Sequence, residues 1–319
     1  MKRYRITNWP KYNKSLIARG SINFWFSEDV IKKWRNTNHT CRKGCPQEYS
    51  DDAILCILLI RTVYHLPLRA TEGLVLSLVS LLRLSLNVPS YTQICRRAKQ
   101  LGKRLEKLSV RRPHDIVFDS TGLKVYGEGE WKVKQHGASK RRIWRKLHLG
   151  MDPHSKEIIV AEVTNNSIGS GDCQVGTRLM KRAPKSARRI LGDGAYDGVE
   201  FRQEIQKRGA ESIIPPPRDA VVHLDTKDEA TRKRNDAVRE IHGLGGDDKA
   251  RRIWKILKGY HTRSLVETTM YRIKQLTGSN MRSREWERQR VEGHIKCLAV
   301  NKMTSLGMPG QFHEKLLTR

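Results

Sequence analysis

One segment, YHTRSLVETTMYRIKQLTG, constrains the fold of this chain more than any other. Tyr260, Arg263, Glu267 and Lys274 stand in it with two, three and six residues between them. At about 100° per residue, the last three fall within about 60° of Tyr260 on an α-helix. Leu265, Val266, Met270, Ile273 and Leu276 turn the other way. One side is then made to pack, and the other to meet a polar, anionic partner. A solvated amphipathic helix would carry the same pattern, so the choice rests on what else the chain brings to that face.

Two acids far upstream make the choice. Asp119 in DIVFDSTGLKVY and Asp193 in RRILGDGAYDG each follow a short apolar run. Such runs read as buried strands with the acid at or near the end. The long separations leave room for intervening strands and helices to bring Asp119, Asp193 and Glu267 together. Three carboxylates at one point repel and are costly to desolvate unless cations share the site. Oxygen ligands suit a hard cation, so Mg²⁺ is expected, with Mn²⁺ able to substitute. Two such ions about 4 Å apart can activate an attacking oxygen and stabilise a leaving oxygen on a phosphodiester.

With these motifs in place, the sequence resembles the DDE transposases of bacterial insertion sequences, and most closely the insertion sequence five family. The signature Y(2)R(3)E(6)K is met without a gap by Tyr260, Arg263, Glu267 and Lys274. RTVYHLPLRATEGLVLSL from Arg61, RRIWRKLHLGMD from Arg141 and GDGAYD from Gly192 are similar to the family as well, so the likeness runs from about residue 40 to about residue 300. It implies a ribonuclease-H-like catalytic domain with Asp119, Asp193 and Glu267 as the metal-binding triad. Asp119 would bridge two ions, with Asp193 and Glu267 each completing one. Metal-bound water would cut at a transposon end, and the freed 3′-hydroxyl would attack target DNA. Arg263 and Lys274 would hold flanking phosphates, and Tyr260 would pack against sugar or base. Two ends handled together imply a homodimer or larger assembly on DNA.

Charge agrees independently. The chain holds 62 Lys and Arg against 33 Asp and Glu, a net +29, which is the footprint of a polyanion-binding protein. Double-stranded DNA, as terminal inverted repeats and as target, is the expected partner. An acidic membrane is not: no run of 18 apolar residues exists, and the basic N-terminus lacks the apolar stretch of a secretion signal. Six Cys, at 41, 45, 56, 95, 173 and 297, do not form a disulfide framework, which fits a reducing compartment; the family resemblance implies a bacterial, nucleoid-associated protein of the cytoplasm. His39, Cys41 and Cys45 lack the spacing and the second ligand pair of a zinc finger. HGLGGDD at His242 lacks the Lys-Ser/Thr ending of a phosphate loop, so no nucleotide cofactor is implied.

Along the chain, residues 1–112 read as helical. Ser50 and Asp51 cap a helix with a stripe of Ile54, Leu55, Leu58 and Leu59, a second helix begins at Pro67, and YTQICRRAKQLGKRLEKL forms a third. The last carries Gln93, Arg96 and Arg97 among its outward polar residues. Both a helix-turn-helix and a bundle with a solvated basic face fit this pattern, and either would serve to read DNA ends. From 113 to 319 strands and helices alternate, giving an α/β class with a mixed sheet flanked by helices. DIVFDSTGLKVYG, RKLHLGMD and EIIVAEVT read as successive strands. A helix runs to Arg182, another spans Val199 to Lys207, and ESIIPP is a short strand.

Between the first two strands, WKVKQHGASKRRIWRK holds Lys132, Lys134, Lys140, Arg141, Arg142, Arg145 and Lys146 and no acid. Unbalanced charge of one sign repels itself, so DNA contact is favoured over a solvated loop, with Trp131 placed for base stacking. Trp144, just before a strand, suits the core instead. Residues 217–258 are polar and mixed in charge, and read as a solvated loop and helix inserted before the helix that carries Glu267, a segment that could order on DNA or on a second subunit. The final helix is expected to turn Trp286, Ile295 and Leu298 inward and Arg282, Arg284, Arg288 and Arg290 outward. Asp197 and Asp172 read as turn or cap residues rather than metal ligands. Two alternatives to a transposase stay open: a catalytically silent DNA-binding regulator, and a stand-alone nuclease of the same fold that cuts without joining.

Overall fold

The computed structural model describes residues 6–37 and 47–310, apart from 103, 107, 110, 126–143, 166–168, 170 and 225. The chain divides into two compact units, one of Met1–Leu101 with Leu298–Arg319 and the other of Gly102–Cys297.

The first unit is helical, with α1 (Trp9–Ala18), α2 (Ile22–Trp25), α3 (Glu28–Lys32), α4 (Asp51–Val63), α5 (Leu68–Leu81) and α6 (Tyr91–Gln100). The Ser50 hydroxyl accepts from Ala53 N and starts α4, meeting one of the orphan donors at a helix N-terminus. Helix α4 is buried from Ala53 to Ile60 except for Leu55, so it sinks into the core on nearly all sides rather than packing by a single stripe. Among the described residues no single helix is long and apolar enough to cross a membrane.

The second unit is a mixed sheet. Strands β1 (Asp115–Val125), β2 (Trp144–Met151) and β3 (Ile158–Thr164) pair antiparallel, and β4 (Arg189–Leu191) and β5 (Glu211–Ile213) continue it in parallel. The resulting order β3-β2-β1-β4-β5, with β6 (Asn280–Met281) against the far end of β1, is the arrangement of a ribonuclease-H-like fold. Connections between the parallel strands need crossover helices, supplied by α7 (Asp172–Arg182) and α8 (Val199–Lys207). The core between these helices and the sheet includes Ile116, Phe118, Val175, Leu179, Tyr196 and Phe201. Gly150 lets β1 and β3 side chains close over β2, since a Cβ there would lie 2.8 Å from both Phe118 and Val160.

Residues 217–258 are helical over much of their length. They form two helices, α9 (Glu229–Gly243) and α10 (Asp248–Leu257), whose first turns are capped by Asp228 and Asp247. The turn between them contains Gly245 and Gly246, both at positive φ, a conformation that glycine adopts without steric cost. Helix α11 (Ser264–Thr277) follows, then α12 (Trp286–Ser305). The expected division of the last segment into an inward and an outward face holds in part: Ile295 is buried and Arg282 and Arg284 are exposed, but every residue from Val291 to Cys297 is buried, while Trp286 and Leu298 are only half-buried. Among its buried polar groups, Glu292 accepts from the Arg282 and Ser283 amides at 2.8 Å.

Candidate active site

Sheet register places the two upstream acids side by side. Val117 pairs with Leu191 across the parallel β1 and β4 strands, and Asp119 and Asp193 each lie two residues beyond that pair. Asp119 stands within β1 rather than at its end, because the strand runs on to Val125. Its Oδ1 accepts from the Ser120 amide at 2.8 Å. Asp193 follows β4 and caps a 3-10 turn over Gly194–Tyr196, with Oδ1 accepting from Ala195 N at 3.0 Å. Glu267 occupies the first turn of α11.

The signature segment is not one continuous α-helix. Tyr260–Arg263 is a 3-10 turn, entered through Gly259 at φ 64°, and α11 begins only at Ser264. The tighter turn leads the Arg263 side chain back toward the sheet. Its Nη2 lies 2.6 Å from Asp119 Oδ2 and 3.7 Å from Asp193 Oδ2, and its Nη1 lies 2.7 Å from Glu267 Oε1. A single guanidinium therefore gathers all three carboxylates.

Electrostatics set the three apart. Burial raises the Asp119 pKa; the Ser120 amide and the Arg263 charge oppose this, while the negative charges of Asp193 and Glu267 add to it, and the carboxyl ends above its ordinary value. Burial likewise pushes the Tyr260 phenol up to about 12, which keeps it a neutral hydrogen-bond donor at neutral pH. Its ring lies 5.4 Å from Lys255 Nζ.

Residues 17–128 and 111–302 each match a transposase DDE domain family. The second match takes in the three acids, Arg263 and more than half of the sequence. The chain belongs to the DDE transposases. An uncharacterized protein of Aquifex aeolicus (strain VF5) is 24% identical over 263 residues, covering 73% of this chain and 78% of its own length. Among solved structures, similarity extends to the piggyBac transposase synaptic complex with hairpin DNA, with 11% identity, a TM-score of 0.38 and coverage of 94% of this chain and 76% of that one. It extends also to the Drosophila P element transposase strand transfer complex, with 9% identity, a TM-score of 0.28 and coverage of 93% and 86%.

DDE transposases are metal-dependent, and the donor set of this one fits a metal. Three carboxylates face one guanidinium, which leaves an excess of negative charge around a buried Asp119. The available ligand atoms are oxygens, the preference of hard divalent cations.

Other residues that the sequence pointed to as DNA contacts fall into three groups in this transposase. Trp131, Lys132, Lys134, Lys140, Arg141 and Arg142 lie outside the described residues, as do His39, Cys41 and Cys45. Arg96 is exposed on α6, and Lys274 is half-buried on α11 about two turns beyond Glu267. Four others are engaged inside the protein. Gln93 closes a capping box with Ser90; Arg97 pairs with Asp51 at 2.7 Å and donates to Tyr49 O. Arg145 donates to Gln289 Oε1 at 2.6 Å and stacks on Trp286, and Lys146 pairs with Asp172 at 2.7 Å. Lys146 on β2 and its partner at the start of α7 tie sheet to helix. Asp172 thus holds Lys146 rather than capping by its side chain, and Asp197 forms buried ion pairs with Arg202 and Arg234. Trp144 is 38% exposed, and Lys124 Nζ lies 5.6 Å from its ring.

A second cluster was invisible in the sequence. The ligand atoms of His114, Asp115 and His154 lie within 4.8 Å of one another, a grouping able to hold a metal. The buried Asp115 carboxylate is, however, already bonded to His114 Nδ1, His154 Nε2 and the Arg189 guanidinium. These contacts account for the acceptor capacity of a carboxylate without an ion. A His-Asp-His set made from the start of β1 and the turn between β2 and β3 has no spacing signal that could have revealed it.

Proposed function

We propose that this transposase cleaves DNA at the ends of a mobile element and joins the freed 3′ ends to target DNA at the Asp119, Asp193 and Glu267 site. The convergence of these side chains on Arg263, from a strand, a turn and a helix far apart in sequence, carries the reading. Asp119, Asp193 and Glu267 would together hold the metal, Mg²⁺ or Mn²⁺ in its place, with two ions per site expected. Bound there, such ions supply Lewis-acid stabilisation of the attacking and leaving oxygens of a phosphodiester. Arg263, once its carboxylates have other cations, is freed to hold a phosphate in bidentate fashion. Tyr260 keeps its proton and lies one 3-10 turn from Arg263, suited to a sugar or base beside the scissile bond. Lys274 on the same helix adds a point charge for the flanking backbone.

The helical unit, with Arg96 on its surface, is the proposed reader of the inverted repeats, and a homodimer on DNA would bring two ends together. The protein would work in the cytoplasm, at the nucleoid. Supplying pre-cleaved ends with free 3′-hydroxyls, target DNA and Mg²⁺ tests the reading. Joined products that vanish in Asp119→Ala support it. Hydrolysis without joining would make the protein a nuclease, and DNA binding with neither reaction would make it a regulator.

A further inference from the structure

Helix α1 is tied down from behind and open in front. Behind it runs the segment from Gly307 to Gly310, which belongs to the same helical unit. Thr7 N donates to Gly310 O at 3.1 Å, Asn8 Nδ2 donates to Met308 O at 3.1 Å, and the Ser15 hydroxyl donates to Gly307 O at 3.3 Å. The two segments approach so closely that a Cβ on Gly310 would lie 2.7 Å from Thr7 Oγ1. Ser15 is the buried residue of the helix. At about 100° per residue, Trp9, Asn13, Ile17, Pro10, Lys14 and Lys11 follow one another over about 200° of the remaining surface. All six are exposed, Trp9 by 52% and Ile17 by 71%.

The charge of this stretch is of one sign. The first acid in the sequence is Glu28, and Lys2, Arg3, Arg5, Lys11, Lys14 and Arg19 all precede it. Arg19 is engaged by the Gly307 carbonyl and the Tyr12 ring, whereas Lys11 and Lys14 are exposed with no carboxylate near them in sequence. Unbalanced charge repels itself until a polyanion neutralises it. A membrane surface would ask for a continuous apolar stripe, and Asn13 interrupts the one that Trp9 and Ile17 would make. The same mixture suits a DNA groove. Asn pairs in bidentate fashion with an adenine edge, an aliphatic side chain meets a thymine methyl, and Lys meets phosphate. The major groove, about 12 Å wide, admits one α-helix with its side chains, and a helix held only from behind is free to enter it.

We propose that α1 enters the major groove of the element's terminal DNA, with Trp9, Asn13 and Ile17 facing the bases and with Lys11 and Lys14, on one side of that face, at the phosphates of one strand. The inference rests on the reading of the helical unit as the part that binds the inverted repeats, and names the element that does so.

Fluorescence anisotropy of the full chain tests it, with a duplex carrying the inverted repeat that flanks its gene and a scrambled duplex of the same length, over a range of salt. Lys11→Gln combined with Lys14→Gln should weaken binding to both duplexes alike and flatten the slope of log K against log salt by about two. Arg at both positions should restore the slope. Asn13→Ala should keep the slope and cut the preference for the repeat about tenfold, within the range for one lost bidentate base contact. Slope and preference both unchanged in these variants would overturn the proposal, and if the wild type still prefers the repeat the failure is confined to α1. A wild type that shows no preference for the repeat would instead remove the reading of the helical unit on which the proposal rests. Flotation with phosphatidylglycerol vesicles covers the other polyanion: vesicle binding lost in the Lys11 and Lys14 variant, with DNA binding intact, would give this face to a membrane and overturn the proposal.

Discussion

Arg263 Nη2 lies 2.6 Å from Asp119 Oδ2 although 144 residues separate them, and the same guanidinium reaches Glu267 in the next turn of chain. The arginine acts as counter-cation to a site that collects negative charge. Divalent ions at those oxygens would compete with it for the same lone pairs. Replacing Arg263 with Gln should therefore cost the metal-free protein about 1–3 kcal/mol, the range for leaving buried polar groups short of a partner. Mn²⁺ should recover most of that loss. Urea unfolding in EDTA and in Mn²⁺ makes the comparison, and an equal loss in both media would show that Arg263 and the metal do not share ligands.

Two aspartates four residues apart on β1 should respond to pH in opposite ways. Burial alone would raise the Asp115 pKa, but hydrogen bonds from Arg189, His154 and His114 outweigh it and hold the carboxyl well below the usual range. A folded-state pKa below the unfolded value of about 3.9 gives stability that is present above that value and lost as pH falls through the folded pKa. For Asp119 the folded value is raised. It therefore imposes a cost that is absent below about 3.9 and grows as pH rises through the folded pKa. At pH 7, Asp115→Asn should destabilise by about 2–3 kcal/mol, toward the lower end for a broken pair because Arg189 is partly exposed. Asp119→Asn should leave the melting temperature unchanged or higher while abolishing activity. Thermal melts of both variants from pH 4 to 8 provide the check, and a large destabilisation by Asp119→Asn would contradict the assignment.

How much of this was legible in the sequence depended on whether a residue's partners are local. Asp119, Asp193 and Glu267 could be found because strand-like runs and helical spacing are written in neighbouring residues. The strand series from Asp115 to Thr164 was visible for the same reason. That Gln93 closes a capping box and Arg97 pairs with Asp51 was not legible, because polarity on a helix face does not reveal a side chain's partners. Helices α9 and α10 read as solvated because Trp254 and Val238, which bury against the rest of the unit, are sparse among charges. The all-round burial of α12 was hidden by Glu292, His294 and Lys296, polar residues whose partners lie elsewhere in the chain.

Asp197 illustrates the same point with a measurable consequence. Its side chain is 2% exposed and bridges Arg202 on α8 and Arg234 on α9. Removing one partner from a buried ion pair leaves the other charge uncompensated, at a cost of about 3–5 kcal/mol. Asp197→Asn should show a loss of that size. The double variant Asp197→Asn with Arg202→Met should recover part of it, since the stranded guanidinium is gone. Denaturant unfolding of the full cycle measures the coupling, and purely additive losses would exclude a direct interaction.

Lys296 should govern the far end of the helix that carries Glu267. It is 2% exposed, and its Nζ donates to Thr277 O and Gly278 O, both at 2.7 Å. These carbonyls terminate α11, where Gly278 turns to φ 81° and no further helical N–H can meet them. A positive charge at a helix C-terminus also complements the helix dipole. Lys296→Met keeps the volume but removes the donors, and should cost about 1.5–3 kcal/mol, the range for hydrogen bonds involving a charged group. The effect should be graded along the helix. Amide exchange in the last turn, near Lys274, should quicken more than exchange near Glu267, because the first turn is held by Arg263 and the sheet. Uniform acceleration over all of α11 would mean that Lys296 supports the unit as a whole rather than this helix end.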